Sequence, residues 1–356
     1  ALLYGGPSEE HDISLQSAAS VLRHLDPQRY RVLPIGLDRA GACFYNPRES
    51  LSPDLISLPV QGPDATHLPS LLVNGRFAMK ADLVFPLVHG PLLEDGALQG
   101  LLDLARMPYV GCGVLSSALG MDKDISRQLV GLDGIRSTAY HALSRHQLPS
   151  LDATFYNTLI QTLGLPLFVK PCCMGSSVGI HKVTQANDLA FALQDAAQFD
   201  ETVLVEQAVP GREIEIAILE KPDHSLVASL PGELKIHHPD GFYSYDAKYI
   251  DTGLTELCIP ADLSPALTHA LQQAAKKIFK RLKCRGMARV DFFIHAESEA
   301  IYFNEINTLP GFTAISMYPQ LMMHTGLSYP ALLDQLIQSA WAQFKQHPLK
   351  QQEPVA

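Results

Sequence analysis

The sequence predicts an α/β fold over its first third and smaller α+β units after it. Stretches of strand and helix character alternate up to about residue 110, which is typical of an open parallel sheet. Farther along the chain several short strands lie close together, which favours small antiparallel sheets with helices. The chain has 356 residues, and at roughly 150 residues per domain this length predicts two or three domains.

In the first third, apolar runs indicate strands and helical spacing of apolar residues indicates helices. We predict strands at 2–4, 30–37, 83–88 and 109–110, helices at 14–25 and 97–104, and a polar, proline-rich loop with edge structure at 47–71. Residues 83–88 are almost continuously apolar, as expected for a buried parallel strand. In such sheets ligands bind beyond the carboxyl ends of the strands, where the Gly5-to-Glu10 loop and His89-Gly90 lie.

The rest of the chain changes character. We predict helices at 121–129, 155–163, 186–197, 263–282 and 329–344, and strands at 167–170, 180–183, 203–207 and 213–219. Two further strands contain the segments ARVDFF, from residue 288, and NEIN, from residue 304. The last helix is amphipathic, which indicates packing against the core.

Composition excludes several classes of protein. The net charge of −10 and the pI near 5.7 argue against nucleic-acid binding. No apolar run of about 18 residues occurs, so we expect no membrane span, and the N-terminus lacks signal-peptide features. Six scattered cysteines without zinc-site spacing are typical of reduced thiols in a cytoplasmic protein. The His237-His238 pair with Asp240 indicates a solvated loop rather than a metal site.

The segments ARVDFF and NEINTLPGFT carry the most informative pattern. Side chains alternate faces along a strand, so Arg289 shares a face with Asp291, and Glu305 shares a face with Asn307. If the strands pair, these groups form one polar wall, and carboxylate and amide oxygens suit Mg²⁺ beside phosphate. The Pro-Gly turn frees the backbone N–H of Gly311 for the same pocket. The alternative is a pair of strands with charged outer faces. The residues between them are expected in a core: Val290, Phe292 and Ile306.

The segment KPCCMGSSVG predicts a phosphate-binding turn. The backbone N–H groups around Ser176 and Ser177 can close over phosphates as an anion-binding nest, and Lys170 supplies positive charge. The segment fits neither the P-loop nor the Rossmann pattern. The alternative is an ordinary Gly-Ser turn.

The segment VLVEQAVPGREIEI joins two predicted strands and could hold an adenosine group. Glu206 could accept a hydrogen bond from the adenine amino group, Ala208 and Val209 could contact the ring edge through their backbone, and Glu213 could reach the ribose. On local sequence alone, a strand–turn–strand with solvated carboxylates is the better interpretation of this segment.

These segments together resemble the D-alanine–D-alanine ligases of the ATP-grasp superfamily. The resemblance extends over nearly the whole chain, and NEINTLPGFTAISMYP is its most specific part. The other matching segments are GGPSEEHDISLQSA at 5–18, VFPLVHGPLLEDGALQG at 84–100, MDKD at 121–124, VKPCCMGSSVGIHKV at 169–183, VEQAVPGRE at 205–213, FYSYDAKYID at 242–251 and ARVDFF at 288–293.

The resemblance implies a three-domain ATP-grasp architecture and a homodimer. An N-terminal open parallel sheet at 1–122 would bind substrate, and two α+β domains at 123–206 and 207–356 would sandwich ATP. The partners implied are ATP, two Mg²⁺ (or Mn²⁺) ions and D-alanine, with no nucleic acid and no membrane.

The resemblance also implies roles for individual residues. Nucleotide contacts are implied for Lys123, Lys170, Ser176, Ser177, Glu206, Ala208, Val209, Glu213 (ribose) and Lys248 (γ-phosphate). Metal ligands are Asp291, Glu305 and Asn307. Glu10 would hold the ammonium of the first D-alanine, and Arg289 and the Gly311 N–H would stabilise an oxyanion. Ser176, Tyr249, His89 and Ser316 would line the substrate pocket.

The implied reaction joins two D-alanine molecules through a D-alanyl phosphate, for peptidoglycan synthesis. The alternatives are D-Ala–D-Lac or D-Ala–D-Ser formation, another ATP-grasp carboxylate–amine ligase, and a nucleotide-binding relative without catalysis. The chain departs from the family pattern at Leu93, where glycine is usual, at Cys172-Cys173-Met174, where small or polar residues are usual, and at Ser244, where aspartate is frequent. Leu93 therefore predicts a changed packing of its loop.

Overall fold

The computed structural model describes residues 1–236 and 255–346. In these residues the α-helices are α1 His11–His24, α2 Ala97–Leu104, α3 Val114–Met121, α4 Lys123–Gly131, α5 Ala153–Leu163, α6 Leu189–Ala196, α7 Pro265–Arg281, α8 Met317–His324 and α9 Tyr329–Gln346. The strands up to the middle of the chain are β1 Leu2–Gly5, β2 Pro34–Leu37, β3 Cys43–Tyr45, β4 Thr66–Leu68, β5 Leu72–Val73, β6 Arg76–Phe77, β7 Phe85–Pro86, β8 Tyr140–Ser144, β9 Leu167–Pro171, β10 His181–Val183 and β11 Thr202–Gln207. The later strands are β12 Gly211–Glu220, β13 Leu226–Ala228, β14 Gly232–Ile236, β15 Thr255–Cys258, β16 Met287–His295 and β17 Ile301–Asn307.

The N-terminal sheet is parallel on one side and antiparallel on the other. Its strand order is β4-β3-β2-β1-β7, where β2 and β7 pair with β1 in parallel, while β3 and β4 add antiparallel strands at one edge. The predicted open parallel sheet is therefore confirmed for β2, β1 and β7. The strand predicted from residue 30 begins at Pro34, and the one predicted at 83–88 covers only Phe85–Pro86.

The other two large sheets are antiparallel, as predicted. The second has the order β10-β9-β11-β8, and the third has β15-β14-β12-β16-β17 with β13 paired to β12. In both sheets the strands with alternating apolar residues direct one face toward helices, which is why each sheet has its own core.

Three hydrophobic cores hold the described part of the chain together. One lies on the third sheet and α7, and another lies within the second sheet with α5 and α6. The N-terminal core is shared, because α8 and α9 from the end of the chain pack with the first sheet and α1. Across the described residues, no helix combines the length and the apolar character needed to cross a membrane.

The predicted helix at 121–129 proved to be the second of two consecutive helices. Asp122 adopts an extended conformation, so α3 ends at Met121 and α4 begins at Lys123. Its carboxylate accepts the N–H of Ile125, which is the usual N-cap arrangement. The predicted helix at 186–197 likewise consists of a short 3₁₀ turn, Ala186–Asp188, followed by α6.

Candidate active site

The polar wall predicted from ARVDFF and NEIN is present. Strands β16 and β17 pair so that Arg289 lies opposite Asn307 and Asp291 lies opposite Glu305. The intervening residues Val290, Phe292 and Ile306 are buried. Sequence analysis did not single out Glu215, which lies opposite Asp291 on β12. Three carboxylates thus form a row across three strands, and the alternation in REIEI was the signal that could have revealed the third.

Arg289 is held by two of these carboxylates. Its Nε and Nη2 atoms donate to the two oxygens of Asp291 at 2.8 and 2.7 Å, and Nε lies 2.9 Å from Glu215 Oε2. Burial by itself lowers the pKa of Arg289, but the two carboxylates outweigh that effect and raise it. The guanidinium is therefore a fixed, permanently charged group on this wall.

A cavity of about 480 Å³ lies between the second and third sheets, beside this wall. Its volume is within the usual range for small-molecule sites. The predicted nucleotide contacts among its lining residues are Lys123, Lys170, Ser176, Ser177, Glu206, Val209 and Glu213, together with the predicted metal ligand Glu305. The N–H of Ala208 donates instead to the carbonyl of Pro166, so we expect only its carbonyl to face a ligand.

Two cations and two carboxylates line this part of the cavity, and a third cation, Arg127, pairs with one of the carboxylates. Glu206 accepts Lys170 Nζ at 2.6 Å and Arg127 Nη1 at 2.5 Å on its two oxygens. Lys123 Nζ lies 3.2 Å from Glu305 Oε2. Burial raises the pKa of Glu206, but Arg127 and Lys170 outweigh it and lower the pKa to about 2. Sequence analysis missed Arg127, although its position four residues after Lys123 places both on one face of α4.

The Gly-Ser segment forms the turn of the β9–β10 hairpin, as predicted. Ser176 and Ser177 both adopt the left-handed region, with φ of 54° and 59°. Non-glycine residues adopt it at a cost, and such strain concentrates at functional sites. Lys123 Nζ donates to the carbonyl of Met174 at 2.8 Å, which fixes the turn against α4.

The predicted amino-acid contacts lie at the carboxyl end of the N-terminal sheet. His89 is buried, and its Nδ1 lies 3.9 Å from Glu94 Oε2. Burial lowers the pKa of His89, but Glu94 and the nearby Glu10 outweigh it and raise the pKa. Glu94 also approaches Gly175, because a Cβ on that glycine would lie 3.7 Å from Glu94 Oε1. Glu94 thus lies between His89 and the Gly-Ser turn, a position that the EDG segment could have indicated.

The turn at Gly311 is fixed by the N-terminal part of the chain. The Phe312 N–H donates to Ser17 Oγ at 3.0 Å, and the Phe312 carbonyl accepts Tyr329 Oη at 2.6 Å. Ser316 Oγ accepts the Thr313 N–H at 2.9 Å and lies beside Gly311, where a Cβ would approach it to 3.0 Å. The structure thus brings Gly311 and Ser316 together.

Leu93 packs onto a glycine of the neighbouring loop. Gly6 has a φ of +102°, and a Cβ there would lie 2.5 Å from Leu93 Cδ1. Gly90 faces Ser8 in the same way, because a Cβ added at Gly90 would lie 2.7 Å from Ser8 Cβ. The loop that carries Glu94 is therefore packed tightly against the loop that carries Glu10.

Two predicted site residues, Lys248 and Tyr249, lie outside the described residues. The same is true of His237, His238, Asp240 and Ser244.

Comparison with known proteins agrees with this geometry. Two protein-family models match the chain, "D-ala D-ala ligase N-terminus" over residues 1–112 and "D-ala D-ala ligase C-terminus" over residues 129–338. A D-alanine–D-alanine ligase of Legionella pneumophila (strain Lens) is 53% identical over 341 residues, which cover 95% of this chain and 94% of that protein. D-alanine–D-alanine ligase A of Bradyrhizobium diazoefficiens is 44% identical, with 97% and 95% covered.

Solved structures give the same result. The D-alanine–D-alanine ligase from Coxiella burnetii is 36% identical with a TM-score of 0.81, and the alignment covers 97% of this chain and 94% of that one. The VanG D-Ala:D-Ser ligase from Enterococcus faecalis is 34% identical with a TM-score of 0.82, covering 95% and 98%. The resemblance found in the sequence is confirmed, and the chain belongs to the D-alanine–D-alanine ligase family.

Proposed function

We propose that the chain joins two D-alanine molecules at the expense of ATP, through a D-alanyl phosphate. The observation that carries this proposal is the continuity of the site. A cavity of about 480 Å³ is lined by Lys123, Lys170 and by Glu305 of the polar wall. The buried His89–Glu94 pair approaches the Gly-Ser turn, which lines the same cavity. Such a site can bind a polyphosphate and a zwitterionic amino acid next to each other.

Activation of a carboxylate by phosphoryl transfer depends on positioning and charge neutralisation. Lys123, Arg127 and Lys170 give the inner cavity three cations against Glu206 and Glu305. Burial lowers the pKa of Lys170, because Glu206 compensates the loss of water around the ammonium group only in part. The negative charge of a bound phosphate would stabilise the charged form of Lys170 further. The N–H groups of the Gly-Ser turn add further donors.

The wall of β16 and β17 fits a divalent cation by its donor chemistry. Asp291 and Glu305 lie opposite each other and supply carboxylate oxygens, and Asn307 supplies an amide oxygen two residues along. Such hard ligands suit Mg²⁺ or Mn²⁺, and we propose that they hold two of these ions. When bound, the ions would neutralise charge on the transferred phosphoryl group.

The second step requires an oxyanion site and a nucleophile. The amine of the second D-alanine attacks the acyl phosphate, the carbonyl oxygen becomes negative, and phosphate leaves. The fixed Arg289 guanidinium and the Gly311 N–H are the groups proposed to stabilise that oxygen. Glu10, beside His89, is proposed to hold the ammonium of the first D-alanine.

One solved relative raises an alternative for the second substrate. One solved relative is named a D-Ala:D-Ser ligase at 34% identity, whereas the D-alanine–D-alanine ligase of L. pneumophila is 53% identical. We therefore propose D-alanine as the second substrate, with D-serine and D-lactate as the competitors to test.

Phosphate release from ATP and Mg²⁺ tests the function. D-alanine, L-alanine, D-serine and D-lactate are offered separately and in pairs with D-alanine, and products are identified by mass spectrometry. We expect release and dipeptide formation with D-alanine alone. Release only after addition of D-serine or D-lactate would change the product, and no release with any of them would refute the ligase proposal.

We further propose three domains at 1–122, 123–206 and 207–356, a cytoplasmic location and a homodimer. The three large sheets, which lie at Leu2–Pro86, Tyr140–Gln207 and Gly211–Asn307, support the division. The dimer is supported by apolar side chains exposed on α2 and α3, namely Leu104, Val114 and Leu115.

A further inference from the structure

The two cysteines that precede the Gly-Ser turn form a cluster with an aspartate from another segment. Cys172 follows β9, and Asp122 caps α4. The Cys172 thiol donates to Asp122 Oδ1 at 3.3 Å. One ligand atom from each of Cys172, Cys173 and Asp122 lies within 4.8 Å of the other two. None of these residues has a part in the proposed reaction.

The spacing of these atoms is close to that of a tetrahedral metal site. With metal–sulfur bonds of about 2.3 Å and metal–oxygen bonds of about 2.1 Å, the ligands of such a site are roughly 3.6 to 3.8 Å apart. The observed distance from Cys172 Sγ to Asp122 Oδ1 is 3.3 Å, and no two of the three ligand atoms are more than 4.8 Å apart, so the two values bracket that range. Small side-chain rotations therefore suffice to bring the three ligands into place.

We propose that Cys172, Cys173 and Asp122 bind one thiophilic divalent cation of the Zn²⁺ or Cd²⁺ class, with water as the fourth ligand. Two thiolates and one carboxylate select a softer ion than the all-oxygen wall of Asp291 and Glu305 does. Binding releases the two thiol protons to solvent, because the thiolate is the ligand.

The surroundings support the site in three ways. Its backbone is fixed, since the Cys172 N–H donates to the Thr202 carbonyl at 2.9 Å and the Cys173 N–H donates to Asp200 Oδ2 at 2.5 Å. The Asp200 carboxylate also adds negative charge beside the cluster. Cys172 is buried, whereas Cys173 and Asp122 are only half-buried, which gives an ion a route from solvent.

A bound ion would join two segments that shape the nucleotide cavity. Asp122 immediately precedes Lys123, and Cys173 immediately precedes Met174, whose carbonyl already accepts Lys123 Nζ. An ion that binds only the folded chain stabilises it by mass action, so metal should raise the unfolding temperature. This expectation does not depend on the proposed ligase activity.

Cadmium binding to the chain without ATP or Mg²⁺ tests the proposal. Ultraviolet sulfur-to-cadmium charge transfer reports thiolate ligands alone, so ions on the oxygen wall stay silent. We expect one such ion per chain and a higher unfolding temperature. Cys172→Ser and the more accessible Cys173→Ser should each weaken binding by at least about tenfold.

Cys258→Ser is the matched control, because Cys258 is a half-buried free thiol outside the cluster; it should bind cadmium like the parent. Asp122→Asn should keep the charge-transfer band but bind more weakly. Unchanged binding by folded Cys172→Ser and Cys173→Ser variants, or no charge transfer in the parent, would overturn the proposal.

Discussion

At the residue scale, the position of each side chain in the site is determined by the residues that it contacts. Arg289 is charged in any environment, but Asp291 and Glu215 fix where that charge is held. Leu93 departs from the family pattern, yet Gly6 leaves the space that it fills. The unusual residue Leu93 is thus accommodated by a glycine that lies 87 positions earlier in the chain.

Gly6→Ala should lower the free energy of unfolding by more than the strain of a positive φ alone would do. The left-handed φ costs about 1–3 kcal/mol for alanine, and the new Cβ would also collide with Leu93 Cδ1. The measurement is the free energy of unfolding in urea. Gly41→Ala is the control, since Gly41 has a φ of +87° and no atom within 4 Å of its Cβ position.

The double variant Gly6→Ala with Leu93→Ala should regain part of the stability lost by Gly6→Ala. Equal losses for Gly6→Ala and Gly41→Ala would show that the contact with Leu93 is unimportant.

Arg289→Ala should retain ATP binding and lose ligase activity by about 10²–10³-fold, the usual effect of removing an oxyanion donor. Because Asp291 and Glu215 would then lose the buried Arg289 charge beside them, unfolding must be measured in parallel. Turnover is measured by phosphate release, and nucleotide binding by calorimetry. Arg281→Ala is the control: it removes an arginine at the end of α7 that pairs with Asp133, and it should leave turnover intact. Near-normal turnover of Arg289→Ala would contradict the oxyanion assignment.

At the scale of elements, a few buried ion pairs connect helices to sheets around the cavity. Arg127 on α4 and Lys170 on β9 meet at Glu206 on β11, so one carboxylate joins three elements. The helix break at Asp122 places Lys123 in the first turn of α4, beside Met174 and Glu305. The orientation of α4 therefore determines how many cations reach the cavity.

Stability should depend on pH through Glu206. Its pKa is about 2 in the folded chain, against 4.5 for an ordinary glutamate. A lowered carboxyl pKa stabilises the fold fully above about pH 4.5, and this contribution disappears as the pH falls toward 2. The difference in unfolding free energy between the parent and Glu206→Gln should therefore be constant from pH 7 to 5.

Below pH 5 that difference should shrink, which urea titrations at pH 7, 5 and 3.5 can detect. The parent should be more stable by about 3–5 kcal/mol at neutral pH, because Gln leaves two buried cations without their anion. A difference that stays the same at pH 3.5 would exclude Glu206 as the titrating group.

At the scale of the whole molecule, both ends of the chain build one site. Ser17 on α1 accepts the Phe312 N–H, and Tyr329 on α9 donates to the Phe312 carbonyl, so the Gly311 turn is fixed from both sides. The shared core of the first sheet, α1, α8 and α9 makes this contact rigid.

Ser17→Ala should cost about 1–3 kcal/mol, because the Phe312 N–H would remain buried without an acceptor. The displaced turn should also raise KM for D-alanine more than KM for ATP, which steady-state kinetics can separate. Ser339→Ala is the control, since the buried Ser339 on α9 donates to the Glu220 carbonyl and not to the turn or to Tyr329. Equal kinetic effects of the two changes would argue against a positioning role for Ser17.

The proposed homodimer predicts that Leu115→Glu, on the exposed face of α3, yields monomers in light scattering. Leu115 is 59% exposed in the single chain, so a charge there should leave the monomer folded. Leu132→Glu is the control, because Leu132 is 75% exposed but lies after α4. A parent that is monomeric at micromolar concentration would refute the dimer.

The sequence by itself determined the fold class, most elements and the polar wall of β16 and β17. Strand alternation is a local property, so ARVDFF and NEIN already specified which side chains share a face. The order of the antiparallel edge strands and the ends of short strands were not predictable, because they depend on neighbours distant in sequence. Tertiary structure alone decided the contacts that join separate segments: Arg127 with Glu206, Ser17 with Phe312, Leu93 with Gly6, and Asp122 with Cys172. These contacts arise only when sheets and helices pack together, and no spacing along the chain encodes them.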